Sequence, residues 1–108
     1  MAYKTEREIE GDADAAAIGD SEAFVRIVNA MLNDLDWETR ALCAFALLDR
    51  VPMWTTGQLV ILLEGLTLTL DLNAPNGLLR RVLFLTGIVV AAELSSRSGG
   101  GKPKFSRN

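Results

Sequence analysis

The side chains whose types and spacing could do chemistry fall into two acidic clusters and one basic tail. Asp34, Asp36 and Glu38 follow the Asp-x-Asp-x-Glu opening of a calcium loop. Such a loop needs Gly at its sixth position and Glu at its twelfth, and this chain has Thr39 and Phe45 there. Calcium is therefore excluded. Helix capping and solvated loop acids account for this cluster and for Asp12 and Asp14. One functional use remains for Asp34, Asp36 and Glu38: an acidic face that occupies the basic channel of a nucleic-acid-handling enzyme, as a small phage or mobile-element inhibitor would.

Other chemistry is poorly supplied. The chain has no His and a single Cys among its 108 residues, which removes His-based triads, His-ligated metals and intrachain disulfides. Gly99-Gly100-Gly101-Lys102 resembles a phosphate loop only superficially, because Pro103 follows the lysine where a Ser or Thr opening a helix is required. No catalytic, cofactor-binding or metal-binding residue is identified, and we expect a protein that is not an enzyme. Cys43 stands in an apolar run and is read as a small buried hydrophobe. A single unpaired thiol and an acidic N-terminal run without an apolar stretch lead us to expect a cytoplasmic protein.

Charge is distributed unevenly. Residues 1–40 carry four cations against ten anions, and residues 41–108 carry seven against four, so the net charge of −3 conceals an acidic front and a basic end. The final stretch holds Arg97, Lys102, Lys104, Phe105 and Arg107 among Gly, Ser and Pro. Cations interleaved with an aromatic on a flexible segment suit contact with nucleic acid or an acidic partner.

The elements that must position these residues read as helices. Phe24, Ile27, Val28, Met31 and Leu35 recur at helical spacing behind a cap at Asp20 or Ser21, predicting a helix over about 21–33. Asp36 caps a second over 37–50, where Trp37, Ala41, Ala44, Phe45, Leu48 and Val51 recur until Pro52 intervenes. Thr55 with Gln58 forms a capping box for a third over 56–72, and a fourth covers 78–95. Period-two alternation from Leu66 to Leu72 and the Asn76-Gly77 dipeptide support a rival ribbon over 66–72 and 78–85. The Leu-rich run and its cap favour helix. The chain is thus expected to be an all-α bundle of four main helices. Residues 1–19 form an acidic N-terminal arm, 20–95 the helical domain and 96–108 a basic flexible tail.

The third and fourth helices lack a polar face. Residues 59–72 offer only Glu64 and Asp71 as charges, and 82–92 offer none. Such helices want cover on every side. Either they form a central pair wrapped by the first two helices, or they meet a second copy or another protein, or they enter lipid. The lipid reading is disfavoured because a spanning helix needs about twenty apolar residues. We expect a non-catalytic interaction protein, a self-associating subunit or an adaptor, whose interface is built from Leu59, Leu62, Leu63, Leu66, Leu70, Val82, Leu85 and Val89.

Overall fold

The computed structural model describes residues 3–72 and 77–99. Five α-helices follow one another: α1 Glu6–Ala17, α2 Ser21–Asn33, α3 Trp37–Leu48, α4 Thr56–Leu72 and α5 Gly77–Gly99, with a 3₁₀ turn at Val51–Met53 between α3 and α4. No strand occurs among the described residues, so 66–72 and 78–85 are helical.

Local chemistry sets most of the helix starts. Thr5 and Glu8 form a reciprocal capping box on α1, each satisfying a backbone N–H of the other. Asp20 accepts from the Ala23 N–H to open α2, and Asp36 accepts from the Thr39 N–H to open α3. Thr55 and Gln58 repeat the capping box at α4. Each cap supplies one of the orphan donors at a helix start with an acceptor, worth about 1 kcal/mol. Pro52 sits in the 3₁₀ turn, where its missing N–H costs little.

The N-terminal segment is not an arm. It continues through Gly11 as one helix to Ala17 and places Ile9, Ala13 and Ala16 in the core, with Tyr3 buried just ahead of it. Small residues on this face let α1 lie close against α2 and α3. Acidic composition suggested an arm, but its acids point outward and three of them, Glu10, Asp12 and Asp14, bind arginines across the bundle. Asp12 receives Arg26 through two bonds of 3.0 Å. Arg50 from the end of α3 reaches Glu10 at 2.6 Å and Asp14 at 2.9 Å.

Around these contacts the core is continuous. Phe24, Ile27 and Met31 of α2 meet Cys43 and Leu47 of α3, Leu59, Leu62 and Leu66 of α4, and Leu83 and Val90 of α5. Trp54 plugs the turn before α4, 1% exposed, with its indole N–H donated to the Leu47 carbonyl at 2.9 Å and its ring tilted against Phe24. It is a core residue. Leu35, Trp37 and Phe45, expected among the inward-facing positions, are instead solvent-exposed.

The helices form a slab with principal extents of 50 × 30 × 17 Å. Packed helix axes lie 8–10 Å apart, so this thickness accommodates about two layers. In two layers no helix can be central. The arrangement of α4 and α5 as an inner pair wrapped by two others is therefore not adopted, and each keeps one side toward solvent.

Candidate functional site

Among the described helices, α5 carries the most exposed large hydrophobics. Leu79, Val82, Leu83, Thr86 and Val90 face inward and are buried, and the hydroxyl of Thr86 is satisfied within the helix by donating to the Val82 carbonyl at 2.8 Å. The opposite side carries Leu78, Phe84, Leu85, Ile88 and Val89, between 39% and 61% exposed. On the neighbouring α4, Val60, Ile61 and Leu68 are also exposed. A shallow hollow on that helix is lined by Leu63, Glu64, Thr67 and Leu68.

The expected interface residues divide between core and surface. Leu59, Leu62, Leu66 and Val82 are buried within the single chain and are unavailable to a partner. Leu63 and Leu70 are partly buried against that core. Leu85 and Val89 are exposed. Reasoning from sequence missed Leu78, Phe84 and Ile88, together with Val60, Ile61 and Leu68. A helix apolar all round has periodicity without phase, so its pattern states that some face is uncovered without stating which. No local signal marks these residues, because caps set where a helix starts and not the side on which it is covered.

The acidic cluster is largely occupied by local structure. Asp36 accepts from both the Thr39 N–H and its hydroxyl, the latter at 2.8 Å, and Asp34 accepts from the Asp36 N–H at 2.9 Å. Glu38 is exposed and lines a cleft of about 260 Å³ with Tyr3, Lys4, Glu6 and Thr39. Asp12, Asp14 and Asp20 are likewise used, two in ion pairs and one as a cap. Among the described residues no group of three carboxylates or thiols converges into a cation site.

The basic candidates also divide. Arg97 belongs to α5, which extends past the predicted boundary at 95. Its guanidinium binds Glu93 at 2.9 Å and reaches the Thr56 hydroxyl and the Pro52 carbonyl, clamping the end of α5 onto the start of α4. It is a structural cation and no part of a loose tail. Lys102, Lys104, Phe105 and Arg107 lie outside the described residues. Arg80 and Arg81 are exposed on the first turn of α5, where the helix dipole disfavours cations.

Cys43 is fully buried, and burial pushes its thiol up to about 12. At neutral pH it is protonated and inaccessible, which removes it as a nucleophile. No described helix is long and apolar enough to cross a membrane. Comparisons with protein-family models, curated proteins and solved structures find no match, so the functional reading rests on this chain's own residues.

Proposed function

We propose that this chain is a non-catalytic interaction protein that binds another protein through the outer side of α5. The observation that carries the reading is the row of Leu78, Phe84, Leu85, Ile88 and Val89, side chains that an isolated soluble helix would replace with charges. Burying them elsewhere would gain roughly 25 cal/mol per Å² of apolar surface removed from water. The clefts, the buried thiol and the satisfied acids offer no comparable feature for catalysis.

Two further parts of the proposal concern setting and tail. A lone protonated thiol suits a reducing, cytoplasmic environment. Lys102, Lys104, Phe105 and Arg107 would add contact with nucleic acid or an acidic partner. Removing residues 100–108 should abolish salt-sensitive retention on single-stranded oligonucleotides; retention unchanged by the deletion would eliminate that role for the tail.

The face itself is tested by making it polar. A chain carrying Phe84→Gln, Leu85→Gln and Ile88→Gln should keep its helical circular dichroism and melt within a few degrees of the parent, while losing its binding of a hydrophobic dye such as ANS. Collapse of the fold would show that these side chains serve the core. Unchanged dye binding would show that no oily face is presented there.

A further inference from the structure

On the outer side of α5, Leu78, Arg81, Leu85, Ile88, Ala92 and Ser95 succeed one another at intervals of three, four, three, four and three residues, and all six are exposed. That row has the spacing of a coiled-coil seam, with Leu78, Leu85 and Ile88 as its large apolar members, on the side of the helix that the chain's own core leaves free. Phe84, Val89 and Ala91 flank it. A partner that is itself a helix with the same spacing fits that face.

We propose that the occupant of this seam is a second copy of the same chain, its α5 packed antiparallel, with the two-fold axis passing between Leu85 and Ile88. This rests on the reading of the α5 face as a protein-docking surface and names its partner. Three observations select this arrangement.

The first is self-complementarity. About that axis Leu85 of each copy meets Ile88 of the other, and Phe84 lies level with Val89, so the widest side chains gather at the centre. The second is charge. A parallel pair would set Arg81 directly against its counterpart, which is repulsive, whereas the antiparallel pair sets Arg81 level with Ala92, whose small side chain leaves room for the arginine stem to lie along the partner and its guanidinium to reach water. The third is area. Five oily side chains at 39–61% exposure, with the flanking alanines and the Arg81 stem, supply roughly 600 Å² per copy. A pair then buries at most roughly 1,200 Å², the low end for a specific interface, so a weak reversible dimer is expected in place of an obligate one.

The test uses the full chain in detergent-free buffer. Sedimentation equilibrium from 1 to 200 µM should show a monomer–dimer equilibrium. Leu85→Asp or Ile88→Asp should weaken it at least about a hundredfold with helical content unchanged. Orientation is read from cysteines placed in a Cys43→Ala background: a mixture of L85C and I88C chains should form the mixed disulfide faster than either chain forms its own. A dimer in which L85C preferentially links to itself would overturn the antiparallel arrangement. A chain that stays monomeric at 200 µM would overturn the second copy as partner. In that case dye binding that disappears with the Leu85→Asp change would leave the docking face standing with a different protein as its ligand. Absence of such dye binding would remove the docking reading as well.

Discussion

The hydroxyl of Tyr3 donates a 2.6 Å hydrogen bond to Oδ2 of Asp12, closing the residues ahead of α1 onto the helix that follows. The same carboxylate accepts from two nitrogens of the Arg26 guanidinium on α2, Nε and Nη2. One aspartate thus fastens the N-terminal segment to the bundle, and its ionisation is coupled to folding.

Hydrogen bonds from Arg26 outweigh the effect of partial burial and, with the bond from Tyr3, hold the Asp12 carboxyl below its ordinary value. A group depressed in the folded state contributes stability that is complete above its unfolded pKa and is lost as pH falls through the folded one. Urea midpoints should therefore decline as pH falls below about 4, and Asp12→Asn should flatten that decline. At pH 7 the same substitution should cost about 1 kcal/mol, read from the shift in midpoint at constant slope.

At the alkaline end the sign reverses. Burial raises the Cys43 thiol to about 12, and burial together with Asp12 raises the Tyr3 phenol. Groups raised in the fold give stability that is complete below their unfolded values and is lost as pH rises toward the folded ones. Denaturation midpoints should fall from about pH 8.5 upward. Cys43→Ala should remove the part of the slope nearest pH 9. In native buffer at pH 8 the thiol should react with a disulfide reagent far more slowly than in denaturant.

Trp54 joins three parts of the structure through one ring. Trp54→Phe removes the indole bond from the Leu47 carbonyl, which still accepts from the Arg50 N–H, and should cost about 1 kcal/mol. Trp54→Ala adds a cavity beside Phe24 and should cost about 3–5 kcal/mol. Equal midpoints for the two variants would indicate that the ring is not embedded as described.

Two glycines should respond with opposite signs to the same change. Gly19 holds φ at 114° in the turn between α1 and α2, a region L residues rarely adopt, so Gly19→Ala should destabilise by about 1 kcal/mol. Gly11 sits inside α1 with open space around a would-be Cβ, and Gly11→Ala should stabilise by up to about 1 kcal/mol. The pair of melting temperatures also checks that α1 is a continuous helix.

The α5 seam predicts concentration-dependent stability. If Leu85 and Ile88 are covered in a dimer, the midpoint of thermal unfolding should rise with protein concentration, and Leu85→Asp should abolish that dependence. A midpoint independent of concentration from 1 to 200 µM would contradict self-association.

Helix class and most helix starts were determined by residues close together in the chain. Asp20, Asp36, and Thr55 with Gln58 satisfy their own helix ends, and the spans 21–33 and 56–72 follow directly from them. Cys43 was legible as core from its apolar neighbours. What only the tertiary structure decided is the side on which each apolar helix is covered. Capping is local, whereas burial depends on which helices lie alongside. Alternation of polar and apolar residues announces that choice for α2, but uniformly oily α4 and α5 carry no such phase. The same reason explains α1, whose alanines reveal a packing face only once α2 and α3 are placed against it, and Arg97, whose role as a clamp depends on the Pro52 carbonyl forty-five residues away. The two-layer slab then exposes the side of α5 on which the docking proposal stands.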